Sequence, residues 1–257
     1  IDFVCSGGLS MSRNMVNLQS FNEEKIQLIN LKLADKSDDP CRELMWSLED
    51  AINEINAKKF VTVVLINIPD IKLRCDWNFE NDGTKSLSGF ISNIKFPTIG
   101  IVESAAHGTA LELFLCCDIR VANKASKFSM SQVLAGHTPV EGGTQRLPRI
   151  VGVGRAMDLL LTGRVFCADE ALEIGVVQYL HSEDVQDNAV ELGCKIASHG
   201  PIAAKYLKEA IVDGSDMTLA QGLRLETDLN VILQSTFDRK EGIDSFLEKK
   251  EPRYEGR

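Results

Sequence analysis

Several things are missing from this sequence, and each absence removes a class of function. None of its apolar runs approaches the roughly 18–20 residues that a helical membrane span requires, so membrane insertion is not expected. No basic excess exists: Lys and Arg number 28 against 37 Asp and Glu, a formal charge of −9. Such a field disfavours non-specific nucleic-acid binding. The seven cysteines are odd in number and contain no C-x-x-C pair. They read as small buried hydrophobes in a reducing compartment, with Cys116 and Cys117 adjacent in an apolar run. The four histidines (His107, His137, His181, His199) do not stand at ligand spacing with them, and no metal is expected. Low-complexity tracts, like-charge blocks and internal repeats are also lacking. The chain starts at Ile1 without an initiator methionine, so a removed targeting segment is not testable from it. Nothing at its start has the pattern of a secretory signal.

What is present is an ordinary globular composition, 44% hydrophobic and 25% charged, long enough for one large domain or one with an appendage. Residues 1–24 are rich in Ser, Asn and Gly with weak periodicity and read as an N-terminal extension. A strand is expected over 25–34. Asp38, Asp39 and Pro40 then supply cap and first-turn chemistry for a helix over 41–57, with Leu44, Leu48, Ile52 and Ile55 at helical spacing. The β-branched run 60–66 predicts a strand buried on both faces, and 98–102 and 118–122 repeat its character around a helix over 109–116. Strands alternating with helices imply parallel pairing through crossovers. From about residue 154 the pattern predicts helices only, over 156–161, 168–174, 185–198, 201–212, 218–233 and 240–248.

The phrases CDIRVA, GGTQRLPRIVG, LLTGRVFCADEALEIGVV and FLEKKEPRYEGR occur in order from Cys117 to Arg257. With them the chain resembles the crotonase (enoyl-CoA hydratase/isomerase) superfamily. Its C-terminal part is most similar to the methylglutaconyl-CoA hydratase branch, which is mitochondrial in eukaryotes. The resemblance runs from about residue 25 to 257 and is strongest over 97–180. It implies an α/β fold, a crotonase-like spiral of ββα superturns over 25–197 with a helical trimerisation region over 198–257. It also implies trimers or dimers of trimers, with homologous subunits or a larger complex as further partners. An acyl-CoA thioester would be substrate or ligand, with no metal or organic cofactor, in the mitochondrial matrix or otherwise the cytoplasm. Two backbone N–H groups would hold the thioester oxygen as an enolate develops.

Carried over residue by residue, the family's A-G-A-D phrase becomes Cys75-Asp76-Trp77-Asn78, and Cys75 would give the first oxyanion N–H. Asp76 stands where the family has glycine, which alters the backbone geometry open to that loop. The G-G-G phrase becomes Gly108-Thr109-Ala110, with Thr109 giving the second N–H at a helix start. Glu112 matches the first family glutamate. Gln132, in FSMSQ, stands where the second belongs, and a primary amide is no general acid or base near neutral pH. Glu141, in HTPVEGGTQ, stands where most hydratases have a small residue and some relatives have a carboxylate; it is the candidate replacement acid. His107 and His137 flank the region and read as structural. The segment 78–97, which lines the acyl pocket in hydratases, is shorter here; Lys85 and Lys95 are its candidates for CoA phosphates. Two functions follow from the resemblance. One is a crotonase-fold protein weak or inactive as a hydratase, kept for acyl-CoA binding or as a structural subunit. The other is an active hydratase or double-bond isomerase using Glu112 and Glu141. In the methylglutaconyl-CoA hydratase branch RNA binding goes with a lysine-rich helix, but 41–57 is acidic here, so nucleic-acid binding is not expected.

Overall fold

The β-branched runs build the centre of the molecule. A computed structural model describes residues 15–32, 39–58, 60–70 and 86–257. In chain order it begins with β1 (Val16–Phe21), β2 (Ile26–Leu31), α1 (Pro40–Ala57), β3 (Val63–Asn67), α2 (Leu87–Ser92) and β4 (Thr98–Val102). Then come β5 (Ala105–His107), α3 (Thr109–Phe114), β6 (Ile119–Asn123), β7 (Lys127–Ser129) and a 3-10 turn at Ser131–Ala135. Next are α4 (Gly143–Val151), α5 (Val153–Thr162), β8 (Phe166–Cys167), α6 (Ala168–Glu173), β9 (Tyr179–His181) and α7 (Val185–Ala197). The chain closes with α8 (Pro201–Gly214), α9 (Leu219–Gln234) and α10 (Phe237–Glu248).

The main sheet has six strands in the order β1-β2-β3-β4-β6-β9, with every pair parallel except β1–β2. Its alternation buries two layers. Ile26, Leu28, Val63, Leu65, Ile99, Ile101 and Val121 face α7, while Ile29, Val64 and Ile66 join the core with α1 and α3. Helix α1 begins where Pro40 follows the Asp39 cap, whose carboxylate accepts the Arg42 N–H, and it buries Leu44, Leu48, Ile52 and Ile55. A second, three-stranded sheet, β5-β7-β8, is wedged by the stacked rings of Phe114 and Phe128, 6.0 Å apart, with Phe166 beyond. This α/β spiral is the fold that the resemblance implied.

Two expectations need correction. Residues 16–21, read as part of an extension, are β1, an edge strand paired in register with β2. The stretch read as wholly helical contains β8 and β9, short strands that close the two sheets.

Arg120 on β6 holds the α6–β9 connection without a carboxylate. Its guanidinium donates to Val176 O at 2.6 Å, Cys117 O at 2.7 Å and, more loosely, Gly175 O at 3.4 Å. Truncation strands these buried carbonyls, so Arg120→Met is expected to lose about 2–4 kcal/mol in urea melts. The C-terminal helices are tied to the core more lightly. Lys208 on α8 lies 2.8 Å from Asp118 Oδ2 and donates to Phe96 O. Asp118 Oδ2 in turn accepts the Thr98 N–H and hydroxyl.

Candidate active site

Helix α3 exists in this place because Gly108 opens it with φ of +56°, a conformation that L side chains rarely adopt. Gly108 N–H donates to Ser129 O, which ties the helix start to the end of β7, and His107 Nδ1 bonds Ser129 Oγ at 2.8 Å. Thr109 is therefore the first residue of a helix whose opening amides point away from its body. One turn along, Glu112 is 1% exposed.

Three donors hold the Glu112 carboxylate. Oε1 accepts the N–H of Glu141 at 2.8 Å and of Gly143 at 2.9 Å, and Oε2 accepts Gln132 Nε2 at 3.0 Å. The first two come from the start of α4, where Gly143 lets the backbone approach: a Cβ there would sit 3.1 Å from Glu112 Cγ and 3.0 Å from Met130 Cε. A carboxylate has about four lone-pair directions, so Oε2 keeps one for a reacting proton. Burial pushes the Glu112 carboxyl above its ordinary range. The Gly143 and Glu141 amides pull it back, the Glu141 charge adds a further upward push, and the Gln132 amide pulls down. The net result is a base stronger than an exposed glutamate and a usable acid once protonated.

Gln132 is 8% exposed and sits in the 3-10 turn after β7, its amide over Gly108. Its Oε1 is buried with no hydrogen-bond partner. A buried acceptor left open costs free energy unless a ligand or water fills it. Glu141, 4% exposed, donates its backbone N–H to Glu112. Its carboxylate Oε2 accepts the Ser88 N–H of α2 at 2.8 Å.

Of the residues expected from sequence, Thr109, Glu112, Gln132 and Glu141 thus meet at the α3–α4 junction. Cys75 and Lys85 lie outside the described residues, and Lys95 is exposed. His137 is exposed on a loop. Sequence reasoning missed Arg146, which donates to Glu141 O and Ser92 Oγ, both at 2.8 Å. The only signal was its place in GGTQRLPR, three residues past Gly143 on a helix whose apolar residues face the core. Among the described residues, no three His, Cys, Asp or Glu side chains converge as a metal ion would need.

A buried carboxylate one turn into a glycine-opened helix is thus carried on a spiral of mostly parallel strands. Residues 78–257 match the family profile described as enoyl-CoA hydratase/isomerase, and the chain belongs to that family, within the crotonase superfamily. It is similar to the mitochondrial methylglutaconyl-CoA hydratase of Mus musculus, 31% identical over 234 residues, 84% of this chain and 74% of that one. It is also similar to the 2,3-dehydroadipyl-CoA hydratase of Escherichia coli (strain K12), 35% identical over 178 residues, 69% of this chain and 70% of that one. Among solved structures, an enoyl-CoA hydratase from Bacillus anthracis superposes with a TM-score of 0.83 at 30% identity, covering 95% of this chain and 100% of its own.

Proposed function

We propose that this protein performs proton-transfer chemistry on acyl-CoA thioesters with Glu112 as its one proton carrier, shifting a double bond more readily than it adds water. The observation that carries this reading is the Gln132 amide bonded to Glu112 Oε2. Hydration needs one group to deprotonate water and a proton to be delivered at the neighbouring carbon, and an amide supplies neither. A double-bond shift needs one base that takes a proton from one carbon and returns it to another. In this reading the acyl oxygen rests on the Thr109 N–H, with the Cys75 N–H as the second donor. Developing enolate charge is then met by preorganised dipoles in place of water. Glu112, raised by burial, removes the proton and redelivers it.

A second reading, acyl-CoA binding or a structural role with little turnover, draws on the C-terminal helices. Helices α8–α10 leave apolar side chains in water, with Leu219 79% and Phe246 82% exposed and Leu207, Ile211, Leu223, Val231 and Leu247 also bare. So much uncovered apolar surface fits a helical contact between copies, and a trimer is the assembly proposed. Both roles are compatible with one assembly.

The test compares 3-enoyl-CoA isomerisation with crotonyl-CoA hydration by the wild-type protein. Isomerisation near or above about 1 s⁻¹, and at least about tenfold faster than hydration, is the expected result. Hydration faster than isomerisation contradicts the one-carrier reading. Absence of turnover removes the proton-transfer reading, and absence of acyl-CoA binding by calorimetry as well leaves only the structural role.

A further inference from the structure

The segment from Glu141 to Arg146 grips α2 at two points a turn apart. The Glu141 carboxylate takes the Ser88 N–H, and the Arg146 guanidinium takes Ser92 Oγ. Arg146 spends its other nitrogen on the Glu141 carbonyl, which braces the same segment from within. The same segment supplies the Glu141 and Gly143 amides that hold Glu112 Oε1. Glu141 is one link between helix α2 and the Glu112 carboxylate, by its side chain in one direction and its backbone in the other.

The choice of a carboxylate here is informative. Glu141 is buried, and the nearby guanidinium of Arg146 bonds its carbonyl and Ser92, with no ion pair recorded at its carboxylate among the described residues. The Ser88 N–H in the first turn of α2 meets this buried carboxylate with a hydrogen bond, as a buried polar group requires. One oxygen of this carboxylate, Oε2, is committed to α2 through the Ser88 N–H, which is a holding contact.

We infer that Glu141 is a positioning residue that locks α2 and Glu112 into one rigid block, and not a second proton carrier. This rests on the reading of Glu112 as proton carrier. The charge of Glu141 also acts on Glu112, adding to the upward push on its carboxyl. Burial pushes the Cys116 thiol, on which the Arg146, Glu141 and Glu112 charges also act, up to about 11, and it stays protonated.

Two variants separate the roles, read by isomerisation kinetics across pH and by backbone hydrogen exchange over residues 86–92. Glu141→Gln keeps an acceptor for the Ser88 N–H but cannot trade a proton. It is expected to hold kcat within about threefold of wild type and to move the acid limb of the pH profile downward, because a neighbouring negative charge is gone. Glu141→Ala strands the Ser88 N–H. It is expected to speed exchange in α2 at least about tenfold and to lower kcat by about tenfold with a smaller change in KM, since Glu112 loses its aim. A loss of about 10² or more in the Gln variant would make Glu141 a carrier and overturn the inference. Wild-type exchange and kcat in the Ala variant would overturn it as well. A wild-type protein without turnover removes the proposed activity instead. The exchange comparison then decides the clamp by itself: fast exchange in Ala alone upholds it, and equal exchange in Ala and wild type rejects it.

Discussion

Glu112→Gln is expected to abolish turnover, by about 10²–10⁴, while the protein melts at an unchanged or higher temperature near neutral pH. The amide oxygen of a glutamine at 112 can still accept the Glu141 and Gly143 amides. Its nitrogen would face Gln132 Nε2, donor against donor, and a flip of the Gln132 amide relieves that. The flip points the Gln132 oxygen, now without a partner, at the new donor. The pH dependence has a definite sign. Glu112 has its folded-state carboxyl raised above the ordinary 4.5, so its proton is held more tightly in the folded chain. That contribution to stability is complete below about pH 4.5 and fades as pH climbs through the folded-state value. The wild type should therefore lose ground to the Gln variant over that window and be nearly its equal in acid. Paired melts from pH 4 to 8 check it. A variant that melts well below wild type at pH 7 would contradict the geometry of the flip.

Gln132→Glu is expected to raise crotonyl-CoA hydration by about 10². The new carboxyl would stand about 3 Å from Glu112 Oε2, where two adjacent carboxylates cannot both ionise. They would share a proton, leaving one group as base and its neighbour as acid, the pair that hydration requires. The same change removes a donor from Glu112 and adds a buried charge, so a stability loss of about 1–3 kcal/mol should accompany the gain. Steady-state hydration kinetics with wild type and variant in parallel give the answer. A variant no faster than wild type would move the limitation away from position 132.

Much of this was legible in the sequence because it depends on local pattern. The β-branched runs became β3, β4 and β6, parallel as expected, and the Leu44–Ile55 spacing became the buried stripe of α1. Strand β1 escaped because VNLQSF is largely exposed on an edge, where pairing with β2 and not burial makes it a strand. Strands β8 and β9 span two and three residues, too few for any periodicity to register. The site divides the same way. Glu112, Thr109 and Gln132 stand within one helix and one turn, and motif spacing finds them. The partner of Glu141 Oε2 is Ser88, 53 residues away in the chain, and motif spacing carries no sign of that bond. Arg146 is hidden for the same reason, with Ser92 54 residues distant.

Proton traffic through Glu112 can be watched without assuming any product. The protein is incubated with a saturated acyl-CoA and with 3-enoyl-CoA in D2O, and deuterium entering the acyl chain is followed by mass spectrometry. Incorporation by wild type, its persistence in Glu141→Gln and its loss in Glu112→Gln are the predicted results. Equal incorporation by Glu112→Gln and wild type would contradict the assignment of Glu112 as the proton carrier.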